Sequence, residues 1–146
     1  MHESGEALYP GNFDVVGEIC AFVALGAQRA GFESEDVFHI ELACDEACTN
    51  VIEHAYGGEN RGHIHVAWEH NKRRFSVTIR DHGRPFEPAE VPEPLPPGAE
   101  DDLDRLKIGG LGLHFMRRLM DEVRFSFDPA GGNSLVMVKY LEAEAP

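Results

Sequence analysis

The chain is short of cysteine, of basic residues and of long apolar runs, and each shortage removes a class of protein. Three cysteines, Cys20, Cys44 and Cys48, cannot all pair with one another, so no disulfide framework is expected to hold the fold. Neither a stretch of 18 apolar residues nor a secretory signal is present, which gives the expectation of a cytoplasmic protein without a membrane span. Lys and Arg number 13 against 26 Asp and Glu, a formal charge of -13, which argues against direct nucleic-acid binding and against an anionic membrane surface. A polyphosphate ligand approaching so acidic a chain would need local compensation from a divalent cation, backbone amides and a few placed bases. Cys44 and Cys48 fall four apart with His54 beyond them, but four-ligand zinc spacing is absent, and small buried thiols are the reading. A length of 146 residues suits a single domain over 1–146 with its own core.

Periodicity divides the chain into helices and strands. After a short polar lead, Asn12 is placed to cap a helix whose apolar positions Phe13, Val16, Cys20, Val23, Ala27 and Ala30 recur at helical spacing up to Gly31. Ser34-Glu35-Asp36 supplies a cap and an acidic first turn for a second helix, with Val37, Ile40, Cys44, Ala47, Val51 and Ala55 as its core stripe and Gly57-Gly58 as its stop. The period then changes to two: Ile64, Val66 and Trp68, followed by Phe75, Val77 and Ile79, form a hairpin across Asn71-Lys72. Residues 84–108 hold six of the nine prolines and a cluster of acids, a composition that reads as a mobile loop or lid. A third helix is expected from Leu111 to Glu122, then strands from Arg124 to Phe127 and from Ser134 to Leu141 around Pro129-Ala130-Gly131-Gly132-Asn133. The expected fold is a two-layer α+β sandwich, a mixed and mostly antiparallel sheet with helices on one face.

Two features point to a nucleotide site. In Gly109-Gly110-Leu111-Gly112 a glycine loop opens a helix, where unpaired amides and the helix dipole both favour an anion. Glu46 and Asn50, at i and i+4, share a helix face. Such a carboxylate and amide can hold a hard metal ion together, or one can activate a nucleophile while the other binds the metal. Neither the P-loop pattern nor G-x-G-x-x-G behind a strand is present, and the protein-kinase signature set is missing too. Asp81-His82-Gly83 directly follows a strand, where a buried carboxylate can accept from a base's exocyclic amine and Gly83 lets backbone approach the ring. His54, one turn beyond Asn50, fits a pocket wall or an ordinary helix end equally well, and His63 and His65 read as a solvated strand face.

Glu41-x-x-x-Asp45-Glu46-Ala47-Cys48-Thr49-Asn50-Val51-Ile52-Glu53-His54-Ala55-Tyr56, then Asp81-x-Gly83, then Gly109-Gly110-Leu111-Gly112, resemble the N, G1 and G2 boxes of the GHKL ATPase superfamily, whose domain is the Bergerat fold. Within it the chain is most similar to the anti-sigma factor serine/threonine kinases of bacterial partner-switching systems. The resemblance implies ATP and Mg2+ as cofactors, with Asn50 coordinating Mg2+ at the phosphates and Glu46 as general base towards a partner's Ser or Thr hydroxyl. It implies that Asp81 holds the adenine amine beside Gly83, and that Gly109, Gly110, Leu111 and Gly112 meet the phosphates under the lid. Lys107 is the implied γ-phosphate contact, with Arg105 in reserve. Where many members carry Gly-Thr-x to bond a water beside the adenine, this chain has Gly132-Asn133-Ser134, and Ser134 is the substitute candidate. Relatives begin with a full strand, whereas only Ala7-Leu8-Tyr9 precedes Pro10 here; a homodimer built on that sheet edge is carried as an expectation.

Two functions from different classes follow. One is a Mg-ATP-dependent serine/threonine kinase that phosphorylates a small antagonist protein and binds a sigma factor or comparable target. The alternative is a non-catalytic ATP-binding module of the same fold that sequesters a partner.

Overall fold

The computed structural model describes residues 2–85 and 110–141, with the side chains of 110–114 left aside. The expected loop or lid at 84–108 therefore falls almost wholly outside the described residues, as do Arg105, Lys107 and Gly109. In chain order the elements are β1 (Glu3–Pro10), a 3-10 turn (Phe13–Val15), α1 (Val16–Ala30), α2 (Ser34–Asn50), a π-helical turn (Val51–Ala55), β2 (His63–His70), β3 (Arg74–Asp81), α3 (Gly110–Leu119), β4 (Glu122–Asp128) and β5 (Gly132–Tyr140). The strands form one sheet in the order β1-β2-β3-β5-β4. Every described pairing is antiparallel, the simplest case of the expected mostly antiparallel sheet.

Strand alternation sorts the sheet into two faces. Ile64, Val66 and Trp68 on β2, Phe75, Val77 and Ile79 on β3, and Leu135 and Met137 on β5 are all buried on the inner face. Register brings Val66 opposite Ile79 and Trp68 opposite Val77, so the two hairpin stripes meet as cross-strand pairs. Helix α1 lies against β1, β2 and β3, and α2 packs between α1 and α3. Its stripe Val37, Ile40, Cys44, Ala47, Val51 and Ala55 is buried throughout. The outer face carries Glu6, His65, Ala67, Glu69, Thr78 and Arg80 around a shallow depression lined wholly by strand residues. His65 pairs there with Glu6 at 3.2 Å, while His63 is exposed. The three cysteines are free and buried between the helices.

Several boundaries differ from expectation, each for a local reason. The leading segment is a full eight-residue edge strand rather than a polar lead. Its signal is weak because the edge position leaves Leu8 64% exposed and puts Gly5 where a side chain would meet the Trp68 ring. Pro10 can end this strand because an edge strand tolerates a residue without an N–H. Asn12 does not cap α1: its Oδ1 accepts from the Asn60 amide at 2.9 Å, and the helix begins at Val16 through the 3-10 turn. Phe13 is consequently 43% exposed instead of joining the core stripe, a place that Ile19 takes. Ser34 is the first residue of α2, not its cap. Helix α3 stops at Leu119, and β4 starts at Glu122. Met116 and Met120 are buried. Gly31 ends α1 at φ 103°, in the left-handed region that favours glycine.

Gly26 shows how closely α1 approaches the sheet: a Cβ there would lie 2.4 Å from the Trp68 ring. Gly17, on the same helix, has open space beside it. Gly26→Ala is expected to destabilise the fold by about 1–3 kcal/mol through overpacking, whereas Gly17→Ala is expected to be neutral or to stabilise by up to about 1 kcal/mol. Urea unfolding of both variants checks this, and equal midpoints would contradict the packing account.

Candidate functional site

The site grows from the C-terminal end of α2. Glu46 and Asn50 stand one turn apart on the same face of the helix, ahead of the π-helical turn over Val51–Ala55. That turn is closed by the Tyr56 amide bonding to the Val51 carbonyl at 2.9 Å, an i to i+5 bond of the kind found at functional sites. The chain then leaves the helix through Gly57 and Gly58, both at positive φ.

The strand end that carries Asp81 is fastened to this helix end. The Ala55 carbonyl, left without a helical partner, accepts from the Arg84 amide at 2.7 Å. Tyr56 Oη donates to the His63 carbonyl at 2.6 Å and accepts from the His82 amide at 3.0 Å, tying β2 and β3 to the same point. Gly83 fits because a Cβ there would lie 2.4 Å from the Ala55 carbonyl oxygen. Its visible role is thus to let the turn close on the helix end.

Asp81 is 2% exposed. Its Oδ1 accepts from the Gly83 amide and from Asn133 Nδ2, both at 2.8 Å. Burial raises its pKa above the usual carboxylate range, and the Asn133 and Gly83 hydrogen bonds oppose that rise. Asn133 lies directly across the strand pair from Asp81 and is itself 3% exposed. Gly132 makes this approach possible: it has φ 84°, and a Cβ on it would sit against the Asp81 carbonyl.

Asn50, Asp81, Asn133 and Ser134 line one narrow crevice with Ala47, Val51, Phe125 and Leu135. The sequence-derived Asn50 and Asp81, 31 positions apart in the chain, are thereby brought together. Ser134 borders the crevice, but strand alternation turns its side chain to the opposite sheet face from Asn133 and Leu135, in register with Arg80 and Ser126. Glu46 stands outside the lining, one helical turn before Asn50, and is half-buried. Burial raises its pKa first, and the neighbouring charges of Asp45 and Glu53 raise it further. Gly110, Leu111 and Gly112 form the first turn of α3, whose leading amides have no intrahelical partner, and α3 packs against α2. His54 lies 3.9 Å from Glu53 at the helix end, outside the crevice lining. Among the described residues no group of three or more His, Cys, Asp or Glu side chains is placed to hold a metal ion.

Asn133, Tyr56 and Gly132 are the contributors that sequence reasoning passed over. Asn133 could have been found from its place directly after Gly132, the position of Thr in the Gly-Thr-x pattern. Tyr56 enters only as the last residue of the N-box stretch, and its tying role had no signal of its own, since its partners are backbone groups at His63 and His82.

Residues 10–139 match the family described as histidine kinase-like ATPase domain. Serine-protein kinase RsbW of Bacillus velezensis is 34% identical over 140 residues, covering 95% of this chain and 86% of that protein. The protein of the same name from Bacillus licheniformis is 33% identical over 136 residues, 92% of this chain and 84% of its own length. That of Listeria innocua is 35% identical over 116 residues, 79% of this chain and 73% of its own length.

Glu46 has a raised folded pKa, so folding takes up a proton between its ordinary value and the raised one, and stability falls as pH rises through that window. Removing the charge should reverse this. Glu46→Gln is expected to raise the melting temperature at neutral pH, with the gain disappearing in acid below the ordinary carboxylate pKa. Thermal unfolding across pH checks it; a variant less stable than wild type at pH 7 would show that the carboxylate is favourably paired.

Proposed function

The chain belongs to the histidine kinase-like ATPase family, and on that premise we propose that it is an ATP-dependent serine/threonine protein kinase and anti-sigma factor of a bacterial partner-switching system. Its substrate is a Ser or Thr hydroxyl on a small antagonist protein, it also binds a sigma factor or comparable target, and partner choice switches with phosphorylation. The observation that carries the catalytic part is Glu46. A half-buried carboxylate held beside Asp45 and Glu53 costs stability, and a module that only sequesters a partner has no use for it. As general base it takes the hydroxyl proton while the phosphoryl group passes to the oxygen, and its raised pKa improves it for that task.

Phosphoryl transfer asks a protein mainly for positioning and charge neutralisation. Asp81 is suited to receive the exocyclic amine of adenine at the crevice floor. Asn50, one turn from Glu46, is suited to give a single oxygen to Mg2+, an ion that keeps most of its shell as water and phosphate oxygens. When bound, the ion would neutralise phosphate charge that an acidic chain of net charge -13 otherwise repels. The leading amides of α3, with Gly109, Gly110, Leu111 and Gly112, are the proposed phosphate cradle, and Lys107 the γ-phosphate contact. No described helix is long and apolar enough to cross a membrane, and we assign the activity to the cytoplasm.

Glu46→Gln is expected to lower phosphate transfer to the antagonist by about 100-fold or more while leaving Mg-ATP affinity within about twofold. Asn50→Ala and Asp81→Asn are expected to weaken ATP binding itself. Calorimetry with and without Mg2+, together with a single-turnover transfer assay, separates the roles. Transfer unaffected by loss of Glu46 would remove it as the base, and a wild type that binds ATP yet transfers nothing would favour the non-catalytic module.

A further inference from the structure

Asn133 holds a hydrogen-bond acceptor that no described residue uses. Its Nδ2 donates to Asp81 Oδ1 at 2.8 Å, to the Arg84 carbonyl at 2.9 Å and to the Gly83 carbonyl at 3.4 Å. Its Oδ1 is buried with no hydrogen-bond partner among the described residues. Flipping the amide would set that oxygen against three acceptors, so the orientation is determined by its surroundings. A buried acceptor left unpaired costs stability, and native proteins seldom carry one without a reason. This one belongs to a residue lining the crevice that also holds Asp81 and Asn50. On Asp81, both described donors go to Oδ1, which leaves Oδ2 without a donor among the described residues.

We propose that Asn133 Oδ1 is a second acceptor for the exocyclic amine of the bound base, acting beside Asp81, so that this chain reads adenine with two acceptors. The proposal rests on the nucleotide reading above and adds a specificity residue to it. An amine has two N–H groups, and one can go to the carboxylate while the other goes to the amide oxygen. A base with a carbonyl at that position brings lone pairs against both acceptors and is rejected, because unpaired buried polar groups discriminate strongly. Asn133 is thereby both a positioning residue, through Nδ2 on Asp81 and the 83–84 turn, and a ligand contact through Oδ1. Ser134, turned to the other face, has neither role.

The test measures calorimetric affinities of the full chain for ATP, N6-methyl-ATP and purine riboside 5′-triphosphate, which lacks the exocyclic group, in wild type and Asn133→Val. Wild type is expected to bind ATP about tenfold or more tighter than either analogue, since each lacks at least one N–H. In Asn133→Val the ATP affinity is expected to fall about tenfold while that for purine riboside 5′-triphosphate changes less than about twofold. Equal loss for both nucleotides would reduce Asn133 to a structural residue and overturn the proposal. Should the variant not fold, the wild type alone decides: N6-methyl-ATP binding as tightly as ATP would overturn it, because one N–H would then suffice. A wild type that binds none of the three nucleotides would overturn the nucleotide reading itself, an outcome distinct from binding without discrimination.

Discussion

A carboxylate withdrawn from water at the end of a strand is the constraint around which this site is built. Asp81 is almost fully buried, and a charge so placed is tolerable only where hydrogen bonds replace its hydration. The Gly83 amide and Asn133 Nδ2 supply those bonds from two directions, one within the turn and one from the neighbouring strand. Each donor needs a backbone arrangement that glycine permits. Gly83 lets the turn lie against the Ala55 carbonyl, and Gly132 adopts positive φ where a side chain would strike Asp81. Burying one carboxylate therefore commits β3, β5 and the end of α2 to a common geometry.

The commitment extends to the helix that carries Glu46 and Asn50. Because Arg84 bonds to Ala55 and Tyr56 holds His82, the turn after Asp81 cannot shift without moving the segment just after Asn50. The π-helical turn lies between these fixed points and Asn50. It widens the helix by one residue, which changes the angle at which Tyr56 leaves while keeping Val51, Ile52 and Ala55 in the core. Asp81, Asn133 and Asn50 are thereby placed on one rigid frame, the arrangement on which positioning-driven catalysis depends.

Legibility in the sequence followed the strength of local pattern. The α2 stripe and the β2–β3 hairpin were readable because period and turn chemistry agree: Asn71 Oδ1 accepts from the amides of Arg73 and Arg74, so the turn residue the pattern called for also closes the turn. The motif residues Asn50 and Asp81 were readable, and the fold joins them in one crevice. Strand β1 was not, since its inner-facing positions include Glu3 and Gly5 and its burial comes from Trp68 and α1, which lie far along the chain. Nor did the π turn announce itself, because a helical stripe continues smoothly through it. Which of the adjacent Asn133 and Ser134 turns its side chain to the face of Asp81 was not legible either, because strand parity and pairing register set it and side-chain chemistry does not.

Parity also explains why an asparagine can stand there at all. A hydroxyl facing Asp81 could donate once, whereas the amide donates to Asp81 and to the 83–84 carbonyls and still retains an oxygen. The longer side chain has small crevice neighbours, Ala47 on α2 and Val51 in the π-helical turn. The strand that contributes Asn133 is thus linked to the helix that contributes Glu46 and Asn50 through a shared cavity as well as through Asp81. A substitution on β5 would then be felt at the helix end, and the energies of changes at Asn133, Asp81 and Asn50 would not add, as expected of residues that share partners.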